Sequence, residues 1–195
     1  MTRDFLDPGH LGQGSERQRA ALSVLHDLAV FERLSAYSPV LAGTIPIAID
    51  TADSDLDVLC EARNLEAFAA DVEAAYGTHD DFALSRLAEK QGAPAVGASF
   101  AHGGFVVEFF GQSRPVTEQH GFRHMVVQSR LLDLGDGRFR AAVIALKRSG
   151  LKTEPAFADL LGLAGDPYKA LLGLESMTED DLCRLLDDFA QSHGG

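Results

Sequence analysis

The stretch "SDLDVLC", residues 54–60, constrains the fold more than any other part of the chain. Acidic and apolar residues alternate there with a period of two, the period of a β-strand. On a strand Asp55 and Asp57 share one face, while Leu56 and Val58 share the other and enter a core. Two carboxylates so close together repel, and one takes up a proton unless a cation compensates. The segment is therefore either an edge strand with a solvated face or half of a cation site. Magnesium suits such a pair, being a hard ion held by one or two carboxylates plus substrate phosphates.

The surrounding pattern frames that strand. "SERQ" at 15–18 is a capping box that opens a helix over 15–37. "SPVLAG" reads as a short strand ending at Gly43. Asn64 caps a helix through "LEAFAADVEAAY", which Gly77 closes. Three further strands follow, "FALSRLAE", "AVGASFAH" and "FVVEFFGQ", the last two joined across Gly103-Gly104. After Pro115 the chain reads only as helices, over 117–134, 138–150, 154–163, 166–175 and 178–192. The expectation is an α/β (α+β) fold, with an α/β core over 1–115 and a helical region over 116–195 packed on it.

Charge narrows the partners. The chain of 195 residues carries a formal charge of −12, which argues against nucleic acid and anionic membranes. Eight basic residues between Arg114 and Lys152 face three acids, leaving −17 elsewhere out of that −12. Such a basic island suits a local anionic ligand or, equally, a solvated helix face. Within it Arg123 and Arg130 share one helical face, and Arg140 and Lys147 another. His120 and His124 lack a third metal ligand; His124 beside Arg123 reads better as an acceptor or phosphate contact. Lys152 and Glu154 read as capping or ion-pairing residues at a helix junction. Two cysteines, Cys60 and Cys183, make no disulfide framework. No apolar run approaches the ~20 residues of a membrane span, and "MTRDFLDPGH" has no signal core. The expected setting is cytoplasmic.

Two more features bear on the aspartates. Glu108 is a lone acid in "FVVEFFG". With Asp55 and Asp57 it makes three carboxylates on neighbouring strands, a set able to hold two metal ions about 3.5–4 Å apart. Gly43-Thr44 closes the preceding strand; glycine there permits close approach of a phosphate, and threonine adds a hydroxyl and an N–H.

Ala42-Gly43-Thr44, then Asp55-Leu56-Asp57-Val58, then Val107-Glu108-Phe109 resemble the motifs of the nucleotidyltransferase superfamily related to DNA polymerase beta. More closely, "PVLAGTIPIAID", "SDLDVLCEA", "VEFFGQ", "RHM" at 123–125 and "LKTEPAFADLLGL" at 151–163 resemble the family Domain of Unknown Function 4269. The resemblance implies a mixed sheet flanked by helices and a nucleoside triphosphate substrate, with pyrophosphate released. It implies that Gly43 and Thr44 cradle the triphosphate, Asp55 and Asp57 bind magnesium (or manganese), and Glu108 helps deprotonate the acceptor. Ser54, Arg123, Arg140 and Lys147 are the further phosphate-binding candidates. Three residues depart from the superfamily pattern: Thr44 for serine, Glu108 for aspartate, and Pro46 where many members run straight into a helix. The expected function is magnesium-dependent nucleotidyl transfer to a small-molecule or protein acceptor. The alternatives are an inactive nucleotide- or partner-binding protein and a metal-dependent phosphohydrolase.

Overall fold

The computed structural model describes residues 4–90 and 92–192; the first three residues of the N-terminal stretch considered above lie outside that range. The chain divides into two compact units, Met1–Ala48 with Asp53–Phe122, and Ile49–Ala52 with Arg123–Gly195.

The first unit holds α1 (Glu16–Asp27), α2 (Val30–Arg33), β1 (Val40–Ala42), β2 (Leu56–Glu61), α3 (Leu65–Tyr76), β3 (Ala83–Lys90), β4 (Ala93–His102) and β5 (Phe105–Gln112). Both arms of the expected capping box are present: Gln18 N donates to Ser15 Oγ at 3.2 Å, and Ser15 N to Gln18 Oε1 at 2.9 Å. The helix expected over 15–37 breaks at Ala29, whose φ is 49°, before resuming as α2. Asn64 caps α3 by accepting from Ala67 N at 3.1 Å.

The five strands form one mixed sheet in the order β1-β2-β5-β4-β3. Only the β2–β5 pairing is parallel; the others are antiparallel. Alternation decides the faces. Leu56, Val58, Val107, Phe109, Val96, Ala98 and Phe100 pack in one cluster with Val24 and Leu25 of α1 and with Phe68, Val72 and Tyr76 of α3. Tyr76 stacks on Phe100 and Phe109 at centroid distances of 5.3 and 5.0 Å. Gly111 of β5 lies so close to the Phe68 ring that any side chain there would overlap it. The opposite face of the sheet carries Asp57 and Glu108.

Cys60 points into the packed face and is fully buried, whereas Cys183 is exposed. Burial pushes the Cys60 thiol from about 9.0 up to about 12, and burial likewise lifts the Tyr76 phenol to about 12. The folded chain keeps protons that the unfolded chain releases, so both contributions are complete below about pH 9 and fall away as pH rises toward 12. A thiol reagent at pH 8 is expected to modify one cysteine per native chain and two in denaturant. Modification of both in the native protein would contradict the burial of Cys60.

The second unit contains α5 (Gly137–Arg148), α6 (Thr153–Leu160), α7 (Pro167–Gly173) and α8 (Glu179–Ser192); α4 (His120–Leu134) begins in the first unit and continues in the second. Asp136 and Asp166 cap α5 and α7. Phe139 meets Phe157 and Phe189 edge-on, at 5.7 and 5.1 Å, which ties α5 to α6 and α8. Among the described residues no helix is long and apolar enough to cross a membrane.

Candidate functional site

The open sheet face gathers its polar groups by register. Asp57 on β2 is the Cα partner of Glu108 on β5, and Glu108 is that of Ser99 on β4. Parallel neighbours in register point the same way, so the two carboxylates stand side by side. On the other side of β2, Asp57 pairs with Ala42, the last residue of β1. Gly43 follows at φ +78°, and a Cβ on it would collide with Asp57 Oδ2. Only glycine takes that backbone conformation at low cost while leaving the carboxylate in place.

The turn after Gly43 explains Pro46. Ala48 N donates to Ile45 O at 3.1 Å, closing a four-residue turn with Pro46 second, where its fixed φ is favoured. Gln18 Nε2 also donates to Ile45 O at 2.8 Å, and His10 Nε2 lies 3.3 Å from Pro46 O. Ile45 and Ile47 are buried. The segment is thus a pinned apolar turn. At its start Thr44 Oγ1 donates to Ser54 Oγ at 3.2 Å, while Arg17 Nη2 donates to Ser54 O at 3.0 Å. Arg17 is itself held over the Phe105 ring, 4.5 Å from its centroid. Gly43, Thr44, Ser54 and Asp57 therefore lie along one edge of the sheet.

Asp55 immediately precedes β2 and is half-buried. Among the described residues no three His, Cys, Asp or Glu side chains are grouped so as to hold a metal ion. The ladder fixes Asp57 against Glu108 but does not extend to Asp55. The hard oxygen donors of Asp57 and Glu108 fit magnesium, which takes one or two carboxylates and completes its shell with phosphate and water.

A cavity of about 280 Å³ opens on the same face. Asp57 and Glu108 line one part of it, and the floor runs across Ser99 and Gly97 to Ser85 and Lys90.

The basic candidates lie in the second unit. Arg123 Nε reaches the two Glu175 carboxylate oxygens at 3.2 and 3.1 Å and holds that carboxyl below its usual range. Arg130 donates to the carbonyls of Glu175 and Met177 at 3.0 and 2.9 Å. Lys147 Nζ donates to Ile49 O at 2.7 Å, and Arg140 is half-buried on the same helix, α5. His124 is buried, with Nε2 3.0 Å from Tyr168 O and Nδ1 3.5 Å from Glu154 Oε1. His120 is half-buried at the first residue of α4.

The family model for Domain of unknown function (DUF4269) matches residues 23–174. The chain belongs to the DUF4269 family. No curated protein matches it. Among solved structures, one of the GLD-2/RNP-8 complex superposes with a TM-score of 0.50 at 12% identity, covering 95% of this chain and 81% of that one. Another, of the polymerase core of TRAMP, a RNA surveillance complex, gives a TM-score of 0.46 at 14% identity, covering 91% of this chain and 57% of that one. At 12% identity the first of these likenesses is one of fold alone. The mixed five-stranded sheet flanked by helices is similar to nucleotidyltransferase folds.

In this DUF4269 chain the sequence pattern alone does not single out Ser85, Ser99, Gly97 and Lys90. Its available signal was the run of small residues in "AVGASFAH", where Gly97 and Ser99 alternate with buried Val96, Ala98 and Phe100. The His124–Glu154 contact joins two of the stretches on which the family resemblance rested, "RHM" and "LKTEPAFADLLGL".

Proposed function

We propose that the protein transfers a nucleotidyl group from a nucleoside triphosphate to an acceptor hydroxyl with the help of magnesium. The observation that carries this reading is the side-by-side register of Asp57 and Glu108, with Gly43 packed against Asp57 from the opposite side. Gly43 and Thr44 offer backbone N–H groups to the phosphates, and the hydroxyls of Thr44 and Ser54 extend that surface. Asp57 and Glu108, with Asp55 two residues before Asp57, would hold the ion. Bound there, magnesium would neutralise charge on the transferring phosphoryl group. Glu108 accepts the proton of the attacking hydroxyl. Oriented groups of this kind supply most of the barrier lowering in phosphoryl transfer, where the chemistry is mainly positioning and charge stabilisation.

The test is incubation with each of the four nucleoside triphosphates and magnesium, following pyrophosphate release and the thermal midpoint. At 100 times Kd a bound nucleotide adds about 2.7 kcal/mol, a rise in Tm on the order of 5–10 °C for a chain of this size. The wild type is expected to show that rise and to release pyrophosphate when an acceptor is present. Asp55→Asn is expected to lose the magnesium-dependent part of both. A magnesium-dependent rise with no turnover would favour the inactive binding protein. Phosphate release without an acceptor would favour the phosphohydrolase. No nucleotide-dependent rise at all would sink the proposal.

A further inference from the structure

Strand order separates the two sides of the carboxylate pair. The Gly43-Thr44 turn adjoins Asp57 from the β1 side, whereas the cavity extends from Glu108 the other way, over β5, β4 and β3. In-line displacement at phosphorus needs the leaving oxygen and the attacking oxygen on opposite sides of the reacting centre. If the triphosphate occupies the β1 side, the cavity is where an attacking hydroxyl belongs.

Its residues describe what fits. Across the sheet, Asp57, Glu108, Ser99 and Ala83 form one row, and Leu59, Phe110, Gly97 and Ser85 form the next. Successive rows on one face lie about 6.8 Å apart along the strands. Gly97 leaves a gap in the second row between Phe110 and Ser85, and a Cβ there would meet only Ser85 Oγ, at 3.1 Å. The result is a depression with a floor of small residues, an apolar wall and two hydroxyls. At about 280 Å³ it sits at the small end of ligand pockets. Lys90 is the basic residue among the described lining residues; it pairs with Ala93, six residues from Ser99, so its Cα stands about 20 Å along the strands from the Glu108 row.

Resting on the transferase reading above, we propose that this cavity is the acceptor site. Its acceptor is an elongated hydroxylated molecule with one anionic group at its far end: the hydroxyl lies at Glu108, and the anion, roughly 10–15 Å away once the two side chains reach toward each other, lies at Lys90. The acceptor oxygen forms a bond to the α-phosphorus as the bond to the bridging α–β oxygen breaks. Pyrophosphate leaves with that electron pair, and the hydroxyl proton passes to the Glu108 carboxylate. A polynucleotide suits the site poorly, because its phosphates would run over a face carrying Asp57 and Glu108 on a chain of net charge −12.

The experiment supplies α-labelled nucleoside triphosphate and magnesium with three acceptor sets. These are extended hydroxylated chains ending in a phosphate or carboxylate roughly 10–15 Å from the hydroxyl, neutral alcohols of matching skeleton, and an oligoribonucleotide with a free 3′-hydroxyl. Label is expected on a member of the first set. Lys90→Ala is expected to raise KM for it about tenfold, the equivalent of about 1.4 kcal/mol, with kcat nearly unchanged. Gly97→Val, a residue suited to a strand, is expected to cut transfer about 100-fold by filling the gap. Its nucleotide-induced thermal shift should match the wild type. Several results overturn the acceptor assignment while leaving nucleotide binding intact: label on the oligoribonucleotide, equal use of the neutral alcohols, or no labelled product in any set despite a nucleotide shift. An unaltered KM in Lys90→Ala does the same and does not depend on the folding of Gly97→Val. Loss of the nucleotide shift in a folded Gly97→Val protein would assign the cavity to the nucleotide instead. A wild type with no nucleotide shift removes the transferase reading itself.

Discussion

Asp57→Asn is expected to lower nucleotidyl transfer by about 10³-fold or more while leaving the thermal midpoint of the free protein unchanged or slightly higher. The two halves have different causes. The amide keeps the shape of the carboxylate, so its neighbours Ala42 and Glu108 in the ladder need not move. It also removes one of two like charges standing opposite each other on adjacent strands, a repulsion of about 0.2–1 kcal/mol. What is lost, on the proposed reading, is a negative oxygen for an ion that would steady the transferring group. Deleting one such electrostatic contact commonly costs about 10²–10³-fold, and losing a metal ligand disturbs the phosphate position as well. The measurement pairs initial rates of pyrophosphate release with thermal melts of both proteins, with and without magnesium. A variant retaining more than about a tenth of the wild-type rate would remove Asp57 from the chemistry; a large fall in Tm would point to a structural role.

The alternation in 54–60 foretold the strand and the face that Asp57 takes, because period-two patterning is a local property that survives folding, whereas Asp55 falls just before the strand begins. Caps were equally legible: Ser15 with Gln18 and Asn64 satisfy helix N–H groups a few residues away. The break at Ala29 was not, since apolar spacing continues across it through Leu28 and Phe31. Register lay out of reach. Nothing local in "FVVEFFG" states that Glu108 stands beside Asp57 rather than Leu59; only pairing of strands far apart in the chain decides it. The cavity depends on the same non-local pairing, since Gly97 becomes a gap only between Phe110 and Ser85. Pro46 stood out as a departure from a family pattern. Its physical role needed Gln18 and His10, supplied from segments some thirty residues earlier.

Phe109→Ala is expected to be the most damaging truncation in the sheet, costing about 3–5 kcal/mol. Phe109 is 1% exposed on β5, one residue after Glu108 and facing the opposite way. Its ring lies 5.0 Å from Tyr76 and 5.7 Å from Phe100, so it bridges α3 and β4 across the packed face. Removing it forfeits the transfer free energy of the ring and leaves a cavity among side chains that are themselves fixed. Tyr76, for example, donates through its hydroxyl to Leu28 O at 3.3 Å. Against a typical total of about 5–15 kcal/mol that is a large share, and for a chain of this size it corresponds to a fall in Tm on the order of 6–20 °C. Phe109→Leu keeps most of the volume and is expected to cost less than about 1.5 kcal/mol. Denaturant unfolding separates the cases: the midpoint should fall in the order wild type, leucine, alanine, with the slope preserved. An alanine variant within about 1 kcal/mol of wild type would show that the aromatic cluster does not hold the sheet against α3. Because Glu108 is carried by the same strand, the leucine variant should retain its nucleotide-induced thermal shift.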